Sequence, residues 1–267
     1  MNSLEAVTAA IDKAHNEARA ALMPYVTLGF PSQETSLEIV QSISQAGADM
    51  IELGVPFSDP LADGPTIQHS TQVALQQGTT PKRCLEMVAE LRNRGVTLPF
   101  FLMGYYNPIL TYGITDYIID TVKDGADGLI IPDLPVEEAG EIESACRARN
   151  LALVFLLAPT STPERAAKIA SHTSGFLYLV SLTGVTGARQ ALNPNLEAFI
   201  QRARQAAHTP VAVGFGISTS EQANKVAKLA DGVIIGSALV SVIAQSAEPR
   251  AAAAKFIREM KAALKHN

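Results

Sequence analysis

Eight short apolar runs, each bounded by Gly, Pro or Asp and separated by longer segments with helical periodicity, constrain this chain more than any other feature. They fall at residues 24–28, 50–53, 99–103, 128–131, 152–157, 176–180, 211–214 and 232–235. Amphipathic stretches lie between them, for example at 33–46, 82–94, 135–149, 163–171, 194–206 and 218–230. Alternation of this kind calls for a parallel sheet covered by helices. Eight such units in 267 residues predict an α/β fold, a single-domain (β/α)8 TIM barrel over residues 1–267, ahead of a doubly wound open sheet. An Ala-rich pattern over 1–19 predicts an extra N-terminal helix, and residues 237–244 read as a short helix after the eighth strand. The alanines at 251–254 continue as a helix, because Lys255, Arg258, Glu259 and Lys261 follow at helical spacing.

Composition removes several function classes. A net charge of -5 is spread along the chain with no Lys/Arg cluster and no aromatic-basic interleaving, so nucleic acid is not an expected partner. No apolar run approaches a membrane span, and residues 1–19 carry both charge signs, unlike a signal peptide; a cytoplasmic protein is expected. Cys84 and Cys146 each fall inside a predicted helix and read as small buried or half-buried residues, not a disulfide. His15, His69, His172, His208 and His266 are scattered without ligand spacing, so no metal site is expected. No lysine stands at a strand end, which argues against Schiff-base chemistry.

In a barrel the chemistry gathers at the C-terminal ends of the strands. The second run enters a rigid loop holding three carboxylates, Glu52, Asp59 and Asp63. Strand alternation sends Ile51 and Leu53 to the helix-packing face and Glu52 to the opposite core. A carboxylate aimed into an interior is costly to ionise unless paired, so Glu52 reads either as a proton donor with a raised pKa or as an ion-paired residue orienting the loop. Gly214-Phe215-Gly216 and Gly236-Ser237 close the seventh and eighth strands, where barrels commonly cradle a phosphate against a short helix, and Gly187 adds a further backbone donor. The same glycines would also serve as tight turns. Residues 181–187, small and Gly/Thr-rich, form either a lid over a ligand or an ordinary surface loop. The strand ends thus offer carboxylate, hydroxyl and apolar groups, a set suited to proton shuffling on a flat apolar group joined to a phosphate.

These motifs resemble one family from end to end, the α subunit of tryptophan synthase. The resemblance is carried by Pro24-Tyr25-Val26-Thr27-Leu28-Gly29, residues 52–68, Tyr105-Tyr106-Asn107-Pro108, Ile131-Pro132-Asp133-Leu134-Pro135, Thr183-Gly184-Val185-Thr186-Gly187 and Gly214-Phe215-Gly216-Ile217-Ser218, all in family order. It implies a lyase that cleaves indole-3-glycerol phosphate by a retro-aldol reaction into indole and glyceraldehyde 3-phosphate. By that resemblance Glu52 gives a proton to indole C3 and takes one from the C3' hydroxyl, Asp63 holds the indole N–H, and Tyr178 lies against Glu52. Tyr25, Met103, Ile131 and Phe215 would flank the indole; Thr186 would pair with Asp63 on lid closure; Gly187, Gly216, Gly236 and Ser237 would hold the phosphate. The resemblance also implies a β subunit partner in an α2β2 heterotetramer, contacted through Pro56, Asp59, Asn107 and Pro108. Pyridoxal phosphate is expected only in that partner, with no cofactor in this chain. Phe30 stands where many members carry Asp, and Leu182-Thr183 where some carry Arg-Ser. A stand-alone lyase, an idle phosphate-binding activator and another phosphosugar enzyme are the competing readings.

Overall fold

The computed structural model describes residues 2–180, 195–214 and 216–265. Its strands are β1 (Ala21–Thr27), β2 (Ile51–Gly54), β3 (Phe100–Met103), β4 (Gly128–Ile130), β5 (Ala152–Val154), β6 (Leu156–Leu157), β7 (Leu177–Val180), β8 (Val211–Gly214) and β9 (Gly232–Ile235). The helices are α1 (Ser3–Asn16), α2 (Gln33–Ala46), α3 (Pro65–Gln76), α4 (Pro81–Asn93), α5 (Tyr106–Tyr112), α6 (Ile114–Asp124), α7 (Gly140–Arg147), α8 (Pro163–His172), α9 (Leu196–Ala206), α10 (Ser220–Ala227), α11 (Ser237–Gln245) and α12 (Pro249–Ala263). Among the described residues no helix is long and apolar enough to cross a membrane.

Every strand pairing is parallel, in the order β5-β4-β3-β2-β1-β9-β8-β7-β6. The fifth apolar run makes both ends of that order. β5 pairs with β4 and β6 with β7, and only Phe155 separates them, so they are two halves of one stave and the sheet closes on itself. Eight staves with helices outside is the barrel that the alternation predicts.

The two faces of each stave feed two cores. Outward residues such as Val26, Ile51, Leu53, Leu102, Leu129 and Val213 pack under the helices. Inward residues Ala21, Met23, Met50, Phe101, Ile130, Val154, Phe176, Tyr178, Ala212 and Ile234 fill the barrel, and Val7, Ile11 and Ala14 of α1 join them at its N-terminal end. The extra N-terminal helix is therefore a plug. Its start is fixed by reciprocal capping, Asn2 Oδ1 accepting from Glu5 N at 3.0 Å and Glu5 from Asn2 N at 3.0 Å.

At that same end Arg19, 2% exposed, reaches Asp49 with two hydrogen bonds of 2.6 and 2.8 Å. Lys261 from α12 donates to the Gly47 carbonyl at 2.7 Å and lies 3.4 Å from Asp49. This charged cluster joins β1, the α2–β2 turn and α12 beneath the barrel. It leaves the opposite end, where the strands point, free for chemistry.

Candidate active site

β2 carries Glu52 inward, in register with Tyr25 of β1 and Phe101 of β3. The carboxyl is 2% exposed, and neither of its oxygens has a hydrogen-bond partner among the described residues. Burial without compensation pushes it up to about 8. Near neutral pH Glu52 therefore keeps its proton, and the ion-paired alternative finds no partner among the described residues.

The loop after β2 returns Asp63 to the same space. Tyr105, at the end of β3, donates its hydroxyl to Asp63 Oδ2 at 3.0 Å and accepts from Ala62 N at 3.0 Å. Phe57 packs on the Tyr105 ring with centroids 5.4 Å apart. Burial lifts Asp63 to about 6, and the Tyr105 hydrogen bond works against that rise. The two carboxyls are thus held at different pKa values by different surroundings, the condition under which one can donate a proton while the other carries charge.

Tyr178 enters from β7, 3% exposed, its pKa driven well above the ordinary phenol value by burial and then by the neighbouring Glu52 charge. Two glycines make room for the two tyrosines. A Cβ at Gly54 would overlap the Tyr25 hydroxyl and stand 2.5 Å from its Cζ, and one at Gly214 would overlap the Tyr178 hydroxyl. Tyr25 is 8% exposed and stays protonated, raised by burial and by the Asp63 charge.

These groups surround one pocket. Glu52, Asp63, Tyr25 and Tyr178 form its polar lining, with Met103, Ile67, Ile217 and Ile234 as apolar walls and Gly216, Gly236 and Ser237 at one end. Gly236 is the N-cap of α11, with no side-chain cap, and Ser237 is the first helical residue. The first-turn N–H groups and the dipole of α11 therefore face that end and favour an anion. A flat apolar body joined to an anion matches the lining of this pocket.

A match to the model of the tryptophan synthase alpha chain family runs over residues 11–266. The chain belongs to the tryptophan synthase alpha chain family. A tryptophan synthase alpha chain from Chloroflexus aggregans is 49% identical over 256 residues, covering 95% of this chain and 96% of that one. One from Roseiflexus is 50% identical over 245 residues, with 91% and 94% covered. Among solved structures, the tryptophan synthase alpha subunit of Legionella pneumophila strain Paris superposes with a TM-score of 0.90 at 36% identity, covering 99% and 98% of the two chains. A Mycobacterium tuberculosis tryptophan synthase structure gives 0.90 at 35%, with 98% of each chain covered. The chain is accordingly a lyase of the tryptophan synthase family.

Of the residues that the alpha-chain resemblance singles out, Glu52, Asp63, Tyr178, Tyr25, Met103, Gly216, Gly236 and Ser237 converge on the pocket. Ile131 does not. It is 3% exposed and packs in the helix-side core with Leu129 and Leu134, because it continues the outward face of β4 while Ile130 points inward. Thr186, Gly187 and Phe215 lie outside the described residues. On the rim, Pro56 is buried, Asp59 and Asn107 are exposed and Pro108 is half-buried. Leu61, 87% exposed, lies in the loop with Asp59, and Leu110, 49% exposed, lies on α5 with Asn107 and Pro108; neither was expected from sequence. Phe30 is buried with its ring edge-on to His69, an apolar contact a carboxylate could not make.

Tyr105, Ile67, Ile217 and Ile234 are the site residues not singled out from sequence, although Ile217 lies in the strand-end motif Gly214-Phe215-Gly216-Ile217-Ser218. Tyr105 stands at a strand end, so its position was the available signal. Ile67 was hidden because 65–76 was not read as a helix, although Gly64-Pro65 is a helix start and Ile67, Ser70, Thr71 and Ala74 repeat at helical spacing. Ile234 lies two residues before Gly236 on the inward face of β9 and could have been found by alternation.

Proposed function

We propose that this chain cleaves indole-3-glycerol phosphate into indole and glyceraldehyde 3-phosphate, and that the unpartnered, buried Glu52 carboxyl carries the reaction. Glu52 delivers its proton to indole C3, and the positive charge that appears on the ring is balanced by Asp63 at the ring N–H. The Glu52 carboxylate so formed takes the proton of the C3' hydroxyl. The bond between C3 and C3' then breaks, its electron pair returns to the ring, and the former hydroxyl carbon becomes the aldehyde. One proton enters at carbon and one leaves at oxygen, so Glu52 ends as it began.

The protonated ring is the electron sink, so the step needs no cofactor or metal in this chain. Phosphate held by the first turn of α11, with Gly216, Gly236 and Ser237, would fix the glycerol end, and Tyr25, Met103 and Ile67 would fix the ring. Gly187, Thr186 and Phe215 keep the roles that the resemblance implies. The family's α chains work with a β subunit, and we assign an α2β2 assembly through Pro56, Asp59, Asn107 and Pro108. The free, buried thiols of Cys84 and Cys146 suit a reducing compartment, and we place the enzyme in the cytoplasm.

Steady-state cleavage by the purified chain, followed through glyceraldehyde 3-phosphate with and without an added β subunit, tests this reading. Slow cleavage raised strongly by the β subunit is expected. Rapid cleavage by the chain alone would instead make it a stand-alone lyase, and no cleavage under either condition would refute the assignment of substrate.

A further inference from the structure

The Tyr25 hydroxyl is backed by two further hydroxyls that the proposed reaction does not use. Thr27, two residues on along β1, donates to Tyr25 Oη at 3.3 Å, and Thr27 Oγ1 lies 2.7 Å from Ser70 Oγ of α3. Ser70 also donates to the Ile67 carbonyl at 2.8 Å, so with Thr27 directed to Tyr25 the one Ser70 proton serves two acceptors. Thr27 is 1% and Ser70 0% exposed, so no solvent competes for these contacts. Buried hydroxyls in this setting are costly to leave unpaired, and the three are held together by that cost.

The two ends of this chain of hydroxyls touch different halves of the site. Tyr25 stands on β1, beside the β2 strand that carries Glu52, with its ring confined over Gly54 two residues further along. Ser70 stands on α3, which begins directly after Asp63 and Gly64 and sends Ile67 into the pocket one turn before Ser70. The relay therefore ties the strand pair bearing Glu52 to the helix that follows Asp63. Proton delivery at one ring atom and charge balance at another require those carboxyls to keep a fixed separation, and small displacements of such groups are expensive in rate.

We propose that Tyr25, Thr27 and Ser70 act as one positioning unit that holds Asp63 in register with Glu52 across the aromatic ring. The proposal rests on the cleavage reading above. Tyr25→Phe, Thr27→Val and Ser70→Ala each remove one hydroxyl while preserving most of the buried shape. Each is expected to lower kcat about five- to tenfold with KM changed by less than about twofold, since one buried hydrogen bond is lost and the binding surface is kept. Thr27→Ser keeps the hydroxyl and is expected to retain kcat. The Tyr25→Phe/Ser70→Ala double variant is expected to be no slower than the worse single variant, because a broken relay cannot be broken twice.

A readout independent of substrate is amide hydrogen exchange across residues 63–71. Exchange there should quicken in Tyr25→Phe, although the missing oxygen belongs to β1. Unchanged exchange in that variant, single-variant effects that multiply, or a change confined to KM would each overturn the proposal. A wild-type chain that fails to cleave would instead refute the reading on which it rests, and the exchange measurement tells the two failures apart.

Discussion

Replacing Glu52 with Gln should change how stability depends on pH as well as stopping turnover. The carboxyl is raised from 4.5 to about 8 by burial. Between those values the folded chain holds a proton that the unfolded chain has released. The native state binds more protons, and stability falls as pH rises through this window. Below pH 4.5 both states are protonated and the effect vanishes. Above 8 it is complete, and at 1.36 kcal/mol per unit the whole shift corresponds to about 5 kcal/mol. Glutamine keeps the shape and cannot titrate, and any cost of burying its amide is the same at every pH. Urea unfolding of both proteins at pH 5.5 and 8.5 isolates this one group. Over that interval the wild type should lose about 3 kcal/mol relative to Glu52→Gln. Parallel loss of stability in the two proteins would show that Glu52 is not a buried carboxyl with a displaced pKa, and the argument for its role as acid would fail with it.

The same two carboxyls set the pH-rate profile. kcat/KM should fall as pH drops through about 6, where Asp63 gains a proton, and as pH climbs through about 8, where Glu52 loses one. Tyr105→Phe removes the hydrogen bond that favours the Asp63 carboxylate, so the acidic limb should move upward while the basic limb stays; a profile that did not move would disconnect Tyr105 from Asp63. Gly54→Ala puts a Cβ into the Tyr25 hydroxyl and ring, and should cost about 1–3 kcal/mol in unfolding free energy together with a large fall in kcat/KM. Wild-type activity and stability in that variant would mean that the ring yields freely. Arg19→Met leaves Asp49 short of its main partner and should destabilise by about 3 kcal/mol, read by denaturant unfolding, with kcat unchanged wherever the protein is folded, since the cluster lies at the other end of the barrel.

The architecture was legible because parallel staves buried on both faces must be apolar throughout, which marks them off from amphipathic helices. Boundaries were less so. β1 begins at Ala21, where the sequence reading begins at 24, because Pro24 looks like punctuation. It stands where β1 leaves its pairing with β9 and takes up β2, so its missing N–H is tolerated. The fifth run reads as one strand and is split at Phe155. The helix expected over 135–149 is confined to Gly140–Arg147, because successive turns at Leu134 and Glu138 occupy the preceding residues. α6 was passed over despite Ile114, Tyr117, Ile118 and Thr121 at helical spacing.

In the site, Glu52 was legible from alternation alone, because a charged residue between two apolar neighbours has only the barrel interior to enter. Asp63 could be singled out only by resemblance, since nothing local in the sequence says that its loop folds back over the same strand. Ser70 was invisible for another reason. A serine on an unrecognised helix carries no sign of being buried, and its contact with Thr27 spans 43 residues. Ile131 is placed at the ring by resemblance and by its position at a strand end, whereas alternation from Leu129 keeps it on the outward face of β4, away from the pocket.

Turnover of indole-3-glycerol phosphate by Glu52→Gln, with binding of the same compound measured by calorimetry on the same sample, decides whether Glu52 is the acid of the reaction. A fall in kcat of about a thousandfold or more is expected, with affinity changed by only a few fold, because the amide fills the carboxyl's place without a proton to give. Near-normal turnover by this variant would contradict it and remove Glu52 from the chemistry.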